Sequence, residues 1–375
     1  MRLLATENRI IYVNAIGIRK FSWQISQFSL YLNRIVRLFS KNKKGSSDVI
    51  VCNPWIIPLI YNGLITKINK RLIQFQFKRL LSKLDFENYI LWIGTPSAVF
   101  LLDIFKPDLI VYNPVDRYHS FTFVNKPKLM EYEQQITSES DLILCTSEKI
   151  KNDLYSYNEN CFTLTHGVAF KHFNLAYNSR EYPSDIIDIP KPIIGYFGSL
   201  ADWINDELLI KCAFRYADAS IVLIGGISRD MGNLKKLKNV FLLGYKDFNE
   251  LPIYLNQFSV CLIPFHINQL TEGVDPIKLR EYLCLGKPVV SVDLPEVRAL
   301  KDLVYIGEDE NDFILKVGTA LKENDPILTK RRIQAAREDD WSIKMEQLSD
   351  IIDNVYYGKE KYKNTVSSTK ETIIS

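Results

Sequence analysis

The chain has 375 residues, of which 47% are hydrophobic, and this is enough apolar material for two buried cores. Its 16 glycines and 15 prolines are ordinary numbers and exclude a collagen-like or wholly disordered chain. The net charge is only +3, but residues 1–83 contain fifteen Lys and Arg and only two acids, Glu7 and Asp48. A basic N-terminal region and an acidic remainder predict a polyanionic partner on one side of the molecule.

The six cysteines form no Cys-x-x-Cys pair and have no histidine at a spacing typical of zinc sites. Several stand in apolar runs, which predicts buried free thiols and fits a reducing compartment. The sequence also shows no secretory leader and no apolar run of about 18 residues. We therefore expect a cytoplasmic protein.

Short apolar runs alternate with helical patterns along the chain. In the first half, strands are predicted at 9–15, 48–53, 89–94, 108–113, 141–147 and 161–167. In the second half, they are predicted at 192–199, 219–226, 239–245, 260–265, 287–293 and 303–307. Helical patterns occur at 126–139, 206–217, 247–257, 276–285 and 309–322. Continuous apolar runs are typical of parallel strands covered on both faces, so the pattern predicts an α/β fold with doubly wound sheets.

The two series of strands predict two Rossmann-like domains that face a cleft. We place the first at 1–177, a polar, proline-containing linker at 178–191, the second at 192–338 and returning helices with a frayed tail at 339–375. The first strand begins only eight residues into the chain, so the first βα unit of the usual order is expected to be missing. A late start codon, a gene fragment or a divergent domain would each explain this.

Residues 264–290 carry the main chemical signal. A strand ends at Pro264, a polar loop follows, and Pro276 stands at a helix start with Asp275 as its expected N-cap. Lys278 and Glu281 are one turn apart on this helix, where a helix N-terminus and a lysine favour a phosphate group. Glu281 is a candidate acceptor for ribose hydroxyls. A surface Lys–Glu pair on an amphipathic helix would have the same spacing.

This segment resembles the sugar-nucleotide-binding segment of GT-B glycosyltransferases, especially the group 1-like (family 4) enzymes that build bacterial capsular, teichuronic and exopolysaccharides. The residues in register are Pro276, Lys278, Glu281, Tyr282, Leu283, Gly286, Lys287, Pro288, Val289 and Val290. Many relatives have an earlier glutamate where this chain has Gly273. The resemblance implies that Glu272 or Asp275 takes its role toward the donor sugar.

The resemblance implies further donor contacts in the second domain. Gly198 and Ser199 would let backbone N–H groups approach the pyrophosphate, and Gly225 with Gly226 would form a second tight turn. Residues after the family's Gly-Tyr pair often frame the base. Here these are Gly244, Tyr245 and Lys246.

In the first domain, residues 108–121 resemble the family's strand that leads to a catalytic aspartate. Asp116 is the implied catalytic residue, as a general base if the enzyme inverts or as an acceptor-positioning group if it retains. A loop cap or an ion pair with Arg117 is the structural alternative. Residues 165–173 depart from the family's Asn-Gly-Val-Asp turn, because His166 and Ala169 replace its first and last residues, and we give no catalytic role to His119 or His266.

Two basic amphipathic stretches, 21–44 and 67–84, suit an anionic membrane surface. A core helix with a solvated basic face is the alternative. Nucleic acid is a further polyanion, but no nucleic-acid-binding motif occurs, so we expect none as a partner. Because the family's acceptors are often carried on a lipid diphosphate, the resemblance favours a peripheral location on the inner face of the plasma membrane.

These inferences predict a glycosyltransferase that moves a sugar from an NDP-sugar to a lipid-linked saccharide acceptor. We expect it to need no cofactor and no metal, because the sequence has no Asp-x-Asp motif and no histidine cluster. Arg280 or Arg229 would help Lys278 to neutralise the leaving diphosphate. Two alternatives remain, a catalytically silent GT-B remnant that acts as a scaffold and a sugar-nucleotide epimerase.

Overall fold

The computed structural model describes residues 3–6, 8–14, 43–44, 49–57, 63–84 and 88–372. The chain forms two compact units, the first made of Met1–Leu164 with Met345–Ser375 and the second of Thr165–Lys344. The basic stretch predicted at 21–44 lies outside the described residues, apart from the backbone of its last two. None of the described helices is both long and apolar enough to cross a membrane.

The first unit contains a small mixed sheet and a four-stranded parallel sheet. The small sheet has the order β1-β3-β2 and the larger has the order β4-β5-β6-β7. The strands are β1 (Ile10–Val13), β2 (Lys43–Lys44), β3 (Val49–Cys52), β4 (Ile90–Ile93), β5 (Leu109–Tyr112), β6 (Leu142–Cys145) and β7 (Cys161–Thr163). The helices are α1 (Gly63–Leu84), α2 (Lys126–Glu139) and α3 (Glu148–Leu154), with 3₁₀ turns at Leu4–Thr6, Pro96–Leu101 and Tyr118–Ser120.

Alternate residues of the larger sheet pack into two different cores. Tyr112 and Ile143 belong to a core with α1, whereas Val111 and Leu144 belong to a second core. Leu348, from the C-terminal helix, completes that second core. Burial on both faces explains why these strands appear in the sequence as continuous apolar runs.

The second unit is a single six-stranded parallel sheet with helices between its strands. Its order is β10-β9-β8-β11-β12-β13, the arrangement of a Rossmann fold in which the strand order reverses between β8 and β11. The strands are β8 (Ile193–Phe197), β9 (Ser220–Ile224), β10 (Val240–Gly244), β11 (Val260–Ile263), β12 (Val289–Val292) and β13 (Tyr305–Gly307). The predicted α/β class with parallel sheets is therefore confirmed.

Eight helices follow along the chain from Thr165 onward. They are α4 (Phe170–Asn174), α5 (Asp206–Arg215), α6 (Leu251–Gln257), α7 (Ile277–Leu283), α8 (Pro295–Arg298), α9 (Glu310–Leu321), α10 (Pro326–Glu338) and α11 (Trp341–Thr372). Short 3₁₀ turns occur at Gly232–Lys236 and Thr271–Gly273. The segment predicted as a linker, 178–191, packs on this second unit, where the Asp185 carboxylate accepts a hydrogen bond from Tyr254 at 2.6 Å. In an open parallel sheet, ligands bind at the carboxyl ends of the strands beside the order reversal, which here are those of β8 and β11.

Candidate active site

Two glycine turns are stacked at the carboxyl ends of β8 and β9. The Gly198 N–H donates to the Ile224 carbonyl at 2.8 Å, and the Leu200 N–H donates to the Gly226 carbonyl at 2.9 Å. Gly198 and Gly225 have φ angles of +143° and +149°, which disfavour any side chain. A Cβ on Gly225 would lie 1.8 Å from the Gly198 carbonyl oxygen, so this close approach of the two turns requires glycine.

Lys278, on the first turn of α7, lies directly against the first glycine turn. A Cβ on Gly198 would stand 2.2 Å from Lys278 Cε and 3.2 Å from Lys278 Nζ. The fold thus brings together two predicted donor-binding residues that are eighty positions apart in the chain. The Lys278 ammonium makes no ion pair within the part of the chain that the structure describes, so its charge is available to an anion at this turn.

Glu281 lies one turn further along α7 and is only 9% exposed. Burial raises the pKa of its carboxyl to about 7, although the positive charge of Lys278 opposes this shift. Its carboxylate makes no hydrogen bond and no ion pair with the described residues. Because an unsatisfied buried carboxylate is unfavourable, a ligand that offers hydroxyl donors would stabilise its charged form.

The other residues in register hold α7 in place. Tyr282 is fully buried, its hydroxyl accepts a hydrogen bond from the Phe197 N–H at 3.2 Å, and its ring packs edge-on against Phe197. Gly286 ends the helix with a φ of +65°. Lys287 Nζ donates to the carbonyls of Asn256 and Phe258 at 2.7 and 2.9 Å. This half of the motif therefore positions Lys278 and Glu281 at the end of β8.

The expectation that Asp275 caps α7 is wrong. Pro276 occupies the N-cap position, and no side chain caps the helix there. Asp275 is buried, and its Oδ1 pairs with Arg280 Nη1 at 2.5 Å. Its Oδ2 accepts a hydrogen bond from the His166 backbone N–H at 2.7 Å. Both oxygens are thus engaged within the second unit, which leaves little of this carboxylate for a donor sugar.

The two arginines expected beside the diphosphate are also engaged. Arg280 Nε pairs with Asp339 Oδ2 at 2.8 Å, in addition to its contact with Asp275. Arg229 Nη2 pairs with Asp206 Oδ1 at 2.5 Å and donates to the Ile204 carbonyl at 2.7 Å. Among the three cations predicted for this site, only Lys278 is without an ion pair to the described residues.

The remaining predicted donor residues are exposed or make their polar contacts elsewhere. Ser199 is exposed next to Gly198, and Tyr245 is 76% exposed at the end of β10. Lys246 is paired with Asp185 Oδ2 at 2.6 Å. Glu272 is half-buried in the turn Thr271–Gly273, and no hydrogen bond or ion pair joins it to the α7 residues in the described ranges. The structure therefore brings together Gly198, Gly225, Lys278 and Glu281, and no hydrogen bond or ion pair joins Tyr245 or Glu272 to them in the described ranges.

Other residues stabilise the turn at which His166 and Ala169 depart from the family's Asn-Gly-Val-Asp pattern. Ala169 begins α4 without a side-chain cap, and Asp340 Oδ2 instead accepts the hydrogen bond from the Phe170 N–H at 3.1 Å. The His166 backbone is held by Asp275. Burial, with smaller contributions from Arg280 and Lys278, lowers the pKa of the His166 imidazole. Burial is therefore the main reason that the neutral imidazole is favoured, and the negative charge of Asp275 opposes it.

In the first unit, Asp116 follows β5 and is half-buried. Burial raises the pKa of its carboxyl to about 6. Arg117 pairs with Asp153, with 2.8 Å between Nε and Oδ2, and Asp116 makes no ion pair with any described residue. The structural alternative of an Asp116–Arg117 pair is thus contradicted, and the environment suits a group that takes up and releases a proton near neutral pH.

A polar cluster beside Asp116 was missed from the sequence. The Tyr112 hydroxyl donates to Glu133 Oε1 at 2.8 Å, and Glu133 Oε2 lies 3.2 Å from His119 Nδ1. The Tyr118 hydroxyl donates to the Gly94 carbonyl at 2.6 Å. The sequence offered one indication of this cluster: Glu133 falls four residues after Leu129 and therefore lies on the buried face of α2.

Within the described ranges, no group of three or more His, Cys, Asp or Glu could hold a metal.

Residues 191–323 match the family model described as Glycosyl transferases group 1. The chain is 24% identical over 284 residues to TuaH of Bacillus subtilis (strain 168), which is named as a teichuronic acid biosynthesis glycosyltransferase. This alignment spans 70% of this chain and 71% of TuaH.

Solved structures share the fold at low sequence identity. Sucrose-phosphate synthase from Thermosynechococcus elongatus superposes with a TM-score of 0.67 at 14% identity, over 93% of this chain and 99% of that chain. Anabaena HepE, determined in complex with UDP and glucose, has a TM-score of 0.60 at 14% identity, over 92% and 99% of the two chains.

The chain therefore has the GT-B fold, and these findings support glycosyltransferase activity. The resemblance to group 1 glycosyltransferases is confirmed, with a protein named for teichuronic acid biosynthesis among the relatives.

Proposed function

We propose that this protein transfers a sugar from a nucleoside diphosphate sugar to a lipid-linked saccharide on the way to a cell-surface polysaccharide. The proposal has a donor half, binding of the nucleoside diphosphate sugar, and an acceptor half, binding and activation of the saccharide. The main observation in favour of the donor half is the contact of Lys278 with the Gly198 turn, with Glu281 one helical turn away. HepE, which shares this fold, was determined with UDP and glucose, and TuaH is named for teichuronic acid synthesis. These relatives make UDP-sugars the first donors to test.

The donor half works by charge and by backbone geometry. In this proposal, the N–H groups of the glycine turns approach the diphosphate, and the Lys278 ammonium neutralises the charge that develops on the leaving group. The Glu281 carboxylate accepts hydrogen bonds from the ribose hydroxyls, and these bonds offset the free-energy cost of burying its charge. We assign no metal to this chemistry, because Lys278 supplies the positive charge.

The acceptor half depends on Asp116. In an inverting reaction its carboxylate takes the proton of the attacking hydroxyl, the oxygen forms the new bond to the anomeric carbon, and the bond to the diphosphate breaks. In a retaining reaction the same carboxylate positions the acceptor. The raised pKa of about 6 supports the first role, because a base with a pKa near the working pH accepts a proton readily.

The exposed face of α1 supports a peripheral position on an anionic membrane. Leu64 and Phe75 are 70% and 62% exposed, and Ile68 is also exposed on this helix. The cations on its exposed positions are Lys67, Arg71, Lys78 and Arg79, and α1 contains no acidic residue. Apolar side chains among cations match a surface of anionic headgroups above acyl chains. We therefore place the protein on the inner face of the plasma membrane.

The donor half is tested by titration calorimetry of the full chain with UDP-, GDP- and dTDP-sugars. At least one UDP-sugar is expected to bind, and Lys278→Ala is expected to weaken it by about tenfold or more, which corresponds to roughly 1.4 kcal/mol. The matched control is Lys301→Ala, an exposed lysine of the same unit. Unchanged affinity in Lys278→Ala would contradict the site.

Product analysis separates the proposed activity from its alternatives. A transferase releases UDP only as an acceptor is consumed. Binding without any turnover over a panel of lipid-linked saccharides would indicate a scaffold protein. Conversion of the donor into an isomer without acceptor would indicate an epimerase.

A further inference from the structure

A chain of three buried or nearly buried polar groups runs through the first unit beside Asp116. Tyr112, the last residue of β5, donates its hydroxyl hydrogen to Glu133 Oε1 at 2.8 Å. The second oxygen of Glu133 lies 3.2 Å from His119 Nδ1. His119 is 14% exposed and stands three residues after Asp116, in the turn Tyr118–Ser120. Glu133 is thus fixed from both sides and directs one particular nitrogen of the imidazole toward itself.

In a neutral His119 imidazole, this arrangement favours the tautomer with its hydrogen on Nδ1. A carboxylate that already accepts a hydrogen bond from Tyr112 accepts a second from the Nδ1–H of a neutral imidazole. Nε2 then carries a lone pair and no hydrogen. It makes no hydrogen bond with the residues that the structure describes. His119 therefore presents a hydrogen-bond acceptor that has no donor among the described residues of this unit.

Other polar groups accompany His119 in the loop that follows β5. Burial raises the pKa of the Tyr118 phenol most, and the charges of Asp116 and Glu133 raise it further, so Tyr118 lies close to both carboxylates. Ser120 Oγ is buried and has no hydrogen-bond partner among the described residues. Asp116, His119 and Ser120 thus offer two pure acceptors and one hydroxyl within a short loop.

We propose that His119, oriented by Glu133, is an acceptor-binding residue whose Nε2 accepts a hydrogen bond from a saccharide hydroxyl next to the one that reacts at Asp116. The inference rests on the proposed function and specifies its acceptor. A carboxylate and an imidazole lone pair both require hydroxyl donors and would repel a phosphate oxygen. The reacting end of the acceptor is therefore a sugar ring with neighbouring hydroxyls, not the phosphate of a lipid. Proton removal stays with Asp116, so His119 positions the acceptor.

The tautomer can be tested without any substrate. The chain has four histidines, so long-range ¹H–¹⁵N spectra resolve them, and the spectrum of His119→Gln assigns the signal that disappears. We expect an unprotonated Nε2 at pH 8 in the wild type. Glu133→Gln removes the negative charge that favours Nδ1–H, so the tautomer population of His119 is expected to shift toward the Nε2–H form. Glu131→Gln, exposed on the same helix, is the matched control and leaves the tautomer unchanged. A wild-type His119 in the Nε2–H form would overturn the proposal.

The role in acceptor binding is tested with UDP-glucose and two probes, prenyl-diphosphate-linked N-acetylglucosamine and prenyl phosphate. Transfer is expected to the saccharide probe only. His119→Ala is expected to raise KM for that probe by about five- to tenfold, the value of one hydrogen bond, and to change kcat less. Glu133→Gln raises the same KM to a smaller extent. Nucleotide affinity measured by calorimetry stays unchanged in both variants.

An unchanged acceptor KM in His119→Ala, or transfer to prenyl phosphate, would overturn the proposal. Transfer to neither probe by a wild type that binds UDP-glucose would overturn it as well, because the acceptor class would be wrong. Absence of UDP-glucose binding would instead contradict the proposed donor site, and the assignment of His119 would then be decided by the tautomer.

Discussion

Lys278 packs against Gly198 so closely that a Cβ on this glycine would stand 2.2 Å from Lys278 Cε. The contact joins the carboxyl end of β8 to the first turn of α7. A cation and a glycine turn with exposed backbone at the order reversal of a Rossmann sheet form a suitable place for a diphosphate. The candidate donor site therefore depends on close packing as well as on charge, and a single added methyl group should disturb it.

Gly198→Ala is expected to damage donor binding more than the fold. The new methyl group meets Lys278 and sits on a backbone with a φ of +143°, at a cost of about 1–3 kcal/mol. We expect UDP-glucose affinity to fall by about tenfold or more, because Lys278 must move away from the turn. The control is Gly226→Ala, since a Cβ there has no neighbour within 4 Å. Equal affinities of the two variants in calorimetry would exclude the packed lysine as a donor contact.

Deprotonation of the buried Glu281 carboxyl is expected to lower the free energy of unfolding as the pH rises. Its carboxyl has a pKa of about 7 in the folded protein and 4.5 ordinarily, so the folded state holds its proton to higher pH than the unfolded state. The unfolding free energy consequently falls between about pH 4.5 and 7 and stays low above this range. Compared with the wild type, Glu281→Gln should gain on the order of 1–3 kcal/mol at pH 8 and almost nothing at pH 4.

Donor binding should show the opposite dependence on pH. In the proposed site the ribose hydroxyls bind the charged carboxylate, so UDP-glucose affinity is expected to rise through about pH 7 in the wild type and to stay level in Glu281→Gln. Urea unfolding and calorimetry at pH 5 and pH 8 measure both effects. A Glu281→Gln protein that loses stability at pH 8 would show that the buried carboxylate is a structural element.

The sequence was sufficient for every described strand except β2 and for the spacing of Lys278 with Glu281, because these depend on local periodicity. The apolar run at 108–113, for instance, is β5 at Leu109–Tyr112. The role of Asp275 could not be read in this way. One of its partners, Arg280, is near in sequence, but His166 lies 109 positions away, so the N-cap pattern was the only local guide. His119 was likewise uninterpretable without Glu133, which only the fold brings to it.

Asp116→Asn is expected to abolish most sugar transfer without affecting the donor. Loss of a general base costs about 10²- to 10⁴-fold in kcat, and the donor residues lie in the other unit, so nucleotide affinity should be unchanged. Asp103→Asn is a matched control on an exposed carboxylate of the same unit. Wild-type kcat should rise with pH through about 6, the pKa of the Asp116 carboxyl. Undiminished turnover of Asp116→Asn would exclude the general-base role.

Arg280 is expected to stabilise the folded state and not to bind the diphosphate. It is buried between Asp275 and Asp339, and Asp339 also pairs with Lys344 at 2.8 Å. Arg280→Ala leaves the buried Asp275 carboxylate without its cation, at a cost of about 3–5 kcal/mol. Arg298→Ala breaks an exposed pair with Asp293 and should cost at most about 1 kcal/mol. Similar losses in urea unfolding would mean that the buried network contributes no more than a surface pair.

The exposed face of α1 is expected to bind anionic membranes. Near an anionic surface each Lys or Arg is worth about 1 kcal/mol, so Lys67→Glu with Arg71→Glu should weaken binding to phosphatidylglycerol vesicles by more than about tenfold. Phe75→Ser should weaken binding at high salt as well, because burial of its ring in the acyl region is not screened. Lys301→Glu with Lys322→Glu changes the net charge equally at exposed positions of the second unit and is the control. Vesicle sedimentation measures all three proteins, and equal losses in both charge variants would indicate a response to net charge alone, without a binding face on α1.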